Sequence, residues 1–173
     1  MDKLTHTFGH QTVTEMEREK NIRRVFEVVA PRYDLMNDFM SFGVHRFWKR
    51  IFVNQINFKN THTIVDLAGG TGDIARKLSH RGGEVIIVDP GVEMMITGRN
   101  NFQSSADNPP VHYLAATGES MPFADNSIDI MTISFGIRNM TRMSDALKEI
   151  NRVLKPGGQI QCLEFSKPNT LIR

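Results

Sequence analysis

Residues 63–73 read T-I-V-D-L-A-G-G-T-G-D. A short β-branched run leads into an aspartate and then into three glycines within four positions. This predicts a strand over 63–67, a sharp turn, and a helix that continues to near His80. The strand-then-helix pattern repeats downstream. E-V-I-I-V-D (84–89) is the second strand and V-E-M-M-I-T-G-R-N-N opens its helix, V-H-Y-L-A (111–115) is the third, and S-I-D-I-M-T-I-S-F (127–135) is the fourth. A helix through Met143, Leu147, Ile150 and Leu154, closed by K-P-G-G, precedes a fifth strand at Q-I-Q-C-L-E-F (159–165). Short apolar strands separated by helical crossovers predict an α/β fold: a doubly wound, mostly parallel sheet of Rossmann-like type with helices on both faces. Such sheets bind ligands at the carboxyl ends of their strands, so Asp66 to Thr71, Asp89, Thr117 to Glu119, Ser134 to Asn139 and Glu164 should gather in one crevice.

The chemistry of that crevice is readable in part. Gly69, Gly70 and Gly72 let the backbone turn sharply and approach a ligand closely. The helix behind them offers unpaired N–H groups and a positive dipole end, which suits a carboxylate. Asp66, just before the glycines, is placed to take an ammonium group, directly or through water. A ligand with an amino-acid end satisfies both partners, and S-adenosyl-L-methionine has one. Asp89, ending the second strand, is the candidate for the ribose hydroxyls, and Glu119 and its neighbours for the adenine. Gly70, Gly72 and Ala75 also satisfy G-x-G-x-x-A, so a nicotinamide dinucleotide is the competing ligand. Asp66 weighs against it, because a pyrophosphate would be repelled there.

Upstream of the sheet, residues 1–60 read as a helical leader and substrate lid, with residues 61–173 forming the cofactor-binding domain. Ile22, Val25, Phe26 and Val29 recur at helical spacing until Pro31. A second helical run, Val44 to Val53, carries Phe47, Trp48, Ile51 and Phe52 on one side and Arg46, Lys49 and Arg50 on the other. The chain of 173 residues is long enough for one domain, and a net charge of +2 gives no ground for a nucleic-acid partner. No signal peptide or membrane-spanning run is visible, and a cytoplasmic protein is expected, with peripheral contact at the inner face of the membrane left open. Cys162, the single cysteine, reads as a buried small hydrophobe. His6 and His10 are four residues apart, but Gly9 and a loose terminus argue against a metal site.

Longer stretches carry a resemblance. Y-D-L-M-N-D-F-M-S-F-G-V-H-R-F-W-K (33–49) and R-V-L-K-P-G-G-Q-I-Q-C-L-E-F-S-K-P (152–168) resemble the two signatures of the UbiE-type ubiquinone/menaquinone-biosynthesis C-methyltransferases. D-L-A-G-G-T-G-D and I-S-F-G-I-R-N (133–139) are similar to further family motifs. The resemblance implies the class I S-adenosylmethionine-dependent methyltransferase fold, with cofactor contacts at Thr71, Asp89, the Thr117–Gly118 pair and Ser134. Family members carry Asn-Ala where this chain has Thr117 and Gly118. A backbone contact to adenine survives that change, and a side-chain amide contact does not.

The resemblance further implies methyl transfer to a ring carbon of a polyprenyl benzoquinol or demethylmenaquinol. Arg138 is then the candidate to stabilise the developing phenolate, Asn139 and Tyr33 to orient the hydroxyl or a proton-accepting water, and His45 a reserve base. Arginine stays protonated, which favours an electrostatic role over a base. Blander readings stand beside these: Tyr33 and Trp48 packing the leader, Arg138 pairing with Asp129 or Glu149, His45 on the surface. Arg18, Lys20, Arg23, Arg24, Arg46, Lys49 and Arg50 are candidates to face anionic headgroups, against the simpler reading of a solvated helix face. Family members continue past Lys167–Pro168 with a helix and two more strands, so the fifth strand is expected as an exposed edge in a shortened protein with weak turnover. A homodimer, a quinone-biosynthesis complex and a non-catalytic remnant remain open.

Overall fold

The computed structural model describes residues 7–8, 11–102 and 109–165. Two short antiparallel strands, β1 (Thr7–Phe8) and β2 (Gln11–Thr12), precede the leader helices α1 (Glu15–Val29), α2 (Tyr33–Ser41) and α3 (Val44–Gln55). The alternating region follows as β3 (Thr63–Leu67), α4 (Asp73–Ser79), β4 (Glu84–Val88), α5 (Val92–Phe102), β5 (Val111–Leu114), β6 (Ile128–Ser134), α6 (Met143–Val153) and β7 (Leu154–Leu163). His6, His10, Lys167 and Pro168 lie outside the described residues.

The sheet is parallel throughout, in the order β5-β4-β3-β6-β7. Because β3 starts at the centre and the chain winds outward first to one side and then to the other, the carboxyl ends of β3 and β6 lie side by side at the switch point. Ile64, Val65, Leu67, Val85, Ile87, Val88, Met131 and Ile133 are buried on both sheet faces, as a sheet covered by helices requires. Among the described residues β7 pairs on one side only, with β6.

The leader departs from its expected form. Pro31 does end α1, whose start is fixed by a capping box between Thr14 and Glu17. The chain re-enters a helix almost at once, through a 3-10 turn at Ala30–Arg32. Phe42 and Gly43, both left-handed, then separate α2 from α3. K-P-G-G does not close the preceding helix from outside the sheet: it lies within β7. Ile128 pairs with Leu154 and Ile130 with Gln159, so the extra residues bulge there, where Pro156 has no N–H to donate.

The buried face of α3 is not the expected one. His45, Lys49, Phe52 and Val53 are buried, whereas Phe47, Trp48 and Ile51 are exposed. On that buried face Lys49 Nζ lies 3.1 Å from Asp73 Oδ2 at the start of α4, an ion pair that hydrophobic periodicity alone does not reveal. Cys162 is exposed rather than buried; among the described residues its strand, β7, pairs on one side only.

Candidate functional site

Two adjoining cavities, of about 230 and 380 Å³, open at the carboxyl ends of β3, β4 and β6 and share Tyr33, Ala68, Gly70, Ser134 and Phe135. Their common wall is the glycine loop and the turn after β6. Ala68 and Phe135, the residues that end the two central turns, both have positive φ, 54° and 55°. Non-glycine residues hold that conformation only where their surroundings enforce it. Here the Ala68 N–H donates to Val88 O and the Phe135 N–H to Leu163 O, both at 2.8 Å, so each strand completes its ladder before the chain swings away. Gly136 lets the two turns touch, since a Cβ there would lie 2.5 Å from the Ala68 Cβ. Gly72, at φ 82°, reverses the chain into α4 while the Ile87 side chain leaves no room for a Cβ.

Two carboxylates flank this wall. Asp89 is held from both sides: Gly70 N–H donates to Oδ2 at 2.9 Å and Gly91 N–H to Oδ1 at 2.7 Å. Burial raises its pKa, and the two N–H groups oppose the rise. Asp66 is only 1% exposed. Its Oδ1 accepts the Thr132 hydroxyl at 2.7 Å, and its Oδ2 has no partner. Burial is the main cause that lifts its pKa to about 7, against the hydrogen bond from Thr132 and the charge of Lys49. The Ser134 hydroxyl is likewise buried without a partner. Unsatisfied buried polar atoms are costly, and such atoms lining a cavity point to a ligand that completes them.

The opposite wall of the smaller cavity comes from α2 and α3. Asn37, Met40, Ser41, His45 and Lys49 line it, with Arg138 and Phe165 from the strand-end side. The Phe165 ring stacks on Phe135 at 4.8 Å and meets Trp48 edge-on at 5.6 Å, and the Arg138 guanidinium lies 5.3 Å from its centroid. Asp73 balances burial, which would raise its pKa, against Lys49 and Lys77, which win and lower it to about 2. His45 is 7% exposed, and its pKa is lowered by burial and then by Lys49.

The expected site residues divide between the cavities. Asp66, Thr71 and Arg138 line the smaller one, Asp89, Thr117, Gly118 and Asn139 the larger, and Tyr33, Gly70 and Ser134 both. Gly72 lines neither and acts through the turn. Arg138 and Asn139, expected together, are parted by the 3-10 turn Ile137–Asn139 that carries them. Arg138 pairs not with Asp129 or Glu149 but with Glu164, at 3.5 Å, because Lys155 holds Asp129 and Arg152 holds Glu149. Glu119 borders the larger cavity, yet its Oε1 accepts the N–H groups of Thr141 and Arg142 ahead of α6. Tyr33 also packs against Phe26, at 6.0 Å between ring centroids.

Three contributors are not legible in the sequence. Lys49 shares its helical run with Arg46 and Arg50, and nothing local separates it from them. Thr132 looks like any β-branched strand residue until Asp66 is found beside it. Arg18, also expected at a lipid-facing surface, is 5% exposed and donates to the carbonyls of Arg138, Asn139 and Met140 at 3.1, 3.5 and 3.2 Å. It fastens α1 to the turn after β6.

Sheet order, glycine loop and paired strand-end carboxylates define the class I methyltransferase fold. Solved structures agree: a methyltransferase in complex with the Trm112 activator from Haloferax volcanii (TM-score 0.68, 26% identity, 82% of this chain and 59% of that one) and the YcgJ protein from Bacillus subtilis (TM-score 0.67, 26% identity, 74% and 54%) superpose on it. Within that class the chain belongs to the ubiE/COQ5 methyltransferase family, which matches residues 13–172. It is 52% identical over 170 residues to the ubiquinone/menaquinone biosynthesis C-methyltransferase UbiE of Rubrivivax gelatinosus, covering 98% of this chain. It is 42% identical over 174 residues to the protein of that name from Hahella chejuensis, covering 99% of this chain and 70% of that protein. The chain spans 66% of the length of the Rubrivivax protein.

Proposed function

We propose that the protein is an S-adenosyl-L-methionine-dependent C-methyltransferase acting on a ring carbon of a polyprenyl benzoquinol or demethylmenaquinol. The observation that carries the cofactor assignment is Asp66: a buried carboxylate with one unpartnered oxygen beside a glycine turn, where an ammonium group supplies the missing donors. The buried carboxylate of Asp66 beside the glycine turn would repel a dinucleotide pyrophosphate lying there. This favours an amino-acid end over a diphosphate. The named relatives support the quinol assignment.

In this reading Asp66 holds the amino group, Asp89 the ribose hydroxyls through the lone pairs its two N–H donors leave, and the Thr117–Gly118 backbone the adenine edge. Gly70, Thr71 and Ser134 line the path between these ends. When bound, the sulfonium supplies an activated methyl group. The protein then has to make a ring carbon nucleophilic. Arg138 stabilises negative charge on a phenolic oxygen, while Tyr33 and Asn139 orient the hydroxyl. The Phe135–Phe165 stack offers a flat apolar face to an aromatic ring. Residues 1–60 act as the lid over residues 61–173.

Leu35, Phe39, Met40 and Phe42 are exposed on α2 and the turn after it, with Phe42 95% exposed, and Met40 also lines the smaller cavity. They offer a prenyl tail an apolar approach, and their exposure supports the reading of peripheral membrane contact. The basic face expected for that contact loses two members, since Arg18 and Lys49 are buried. Among the described residues no helix is long and apolar enough to cross a membrane.

Two measurements test the proposal. Calorimetry should find S-adenosylhomocysteine binding and no NAD binding; the reverse would discard the cofactor assignment. Expression in a strain deficient in quinone methylation should restore the methylated quinone by mass spectrometry, and Arg138→Ala should abolish this while retaining S-adenosylhomocysteine binding.

A further inference from the structure

Lys49 is a buried cation at the smaller cavity for which the reading above has no use. A lysine is seldom buried without a counter-charge, and Nζ lies 3.1 Å from Asp73 Oδ2. Asp73 does not depend on it, because its other carboxylate oxygen is paired with Lys77 one turn along α4. An ammonium has three hydrogens to donate, and Asp73 takes one. The charged head of Lys49, and not only its stem, belongs to the cavity wall. Its charge is felt at His45, Asp66 and Asp73, and all four side chains line the cavity beside the glycine turn.

An amino-acid end carries two charges, and the strand-end side answers one of them. Asp66, with its unpartnered Oδ2, suits the ammonium. The carboxylate finds little there. The N–H groups of the glycine turn are largely spent: Ala68 donates to Val88 O, Gly70 to Asp89 Oδ2 and Gly72 to Gly69 O. The helix that follows is only seven residues long and opens on an acidic side chain, Asp73. Of the two basic side chains that line the cavity besides His45, Arg138 is half-exposed and faces Glu164 at 3.5 Å. Lys49 is the other. With both carboxylates ionised, Asp66 and Asp73 balance Lys49 and Lys77, so a zwitterionic end enters without leaving a net buried charge.

Resting on the S-adenosylmethionine reading of the site, we infer that Lys49 of α3 binds the carboxylate of the cofactor's amino-acid end, opposite the ammonium held by Asp66. The cofactor is then gripped from two sides, by the glycine turn and by a helix of the leader.

The test compares S-adenosylhomocysteine with its decarboxylated analogue, which keeps the ammonium and loses only the carboxylate. Calorimetry on the wild-type chain should show a preference of about 10-fold or more for S-adenosylhomocysteine. Lys49→Met should lose about that factor for S-adenosylhomocysteine and bind the analogue as well as the wild type does or more tightly. Lys49→Arg should keep part of the preference. Equal losses for the two ligands in Lys49→Met, or a preference undiminished by it, overturn the inference. A crystal of the wild type with S-adenosylhomocysteine decides the matter independently of how the variant folds: the carboxylate should lie within about 4 Å of Nζ, and a greater separation overturns the inference. A wild type that binds no S-adenosylhomocysteine overturns the cofactor reading itself, and the role of Lys49 with it.

Discussion

The strand-end side and the helical side of the site are built in different ways. The strand-end wall is specified by backbone: Ala68 and Phe135 in left-handed conformations, Gly136 allowing their turns to touch, and N–H groups aimed at Asp89. The helical wall is specified by side chains that lean on one another: Lys49 on Asp73, His45 on Ser41, Arg46 on Asp38. Backbone geometry tolerates little variation because it is tied to the sheet. A network of side chains can be altered one member at a time. Changes to the first wall should therefore act on folding and cofactor affinity together, and changes to the second on reaction rate or a single ligand contact with the fold retained.

The largest expected effect breaks the first wall. Gly136→Val forces a Cβ to within 2.5 Å of the Ala68 Cβ, at a residue already held at positive φ. About 3 kcal/mol of stability should be lost, with a fall in Tm and loss of S-adenosylhomocysteine binding by calorimetry. A Tm within a degree of wild type would mean that the two turns are not rigidly opposed.

Next comes the pH response of Asp66. Its folded pKa of about 7 lies above the ordinary carboxylate range, so the folded state binds the proton more tightly than the unfolded chain. The associated stability is fully present below about pH 4 and is lost as pH rises through about 7, by on the order of a few kcal/mol. Asp66→Asn should flatten that decline in urea melts at successive pH values and weaken S-adenosylhomocysteine about 10-fold or more. Asp73, lowered to about 2, behaves oppositely: its contribution is present above the usual carboxylate value and is lost as pH falls toward 2. An Asp66→Asn profile that declines from pH 4 to 7 as steeply as the wild type would contradict the Asp66 assignment.

The smallest effect sharpens the division by joining the leader to the first wall. Arg18→Met removes the donors to three carbonyls of the turn carrying Arg138 and Asn139. About 1–2 kcal/mol should be lost. The turnover rate should fall more than S-adenosylhomocysteine affinity, and Arg18→Lys should restore part of it. Equal losses in both would make Arg18 a purely structural strut.

The sequence determined the strands, their parallel winding, and the gathering of Asp66, Asp89, Ser134 and the glycine turn at one edge, because apolar periodicity and glycine act locally and leave a local record. Only the tertiary structure decided which face of α3 is buried, that Lys49 and Arg18 turn inward, that Arg138 pairs with Glu164, and that Asp66 keeps an unpartnered oxygen. Those outcomes depend on charges brought together from distant parts of the chain, and on how much water is left between them.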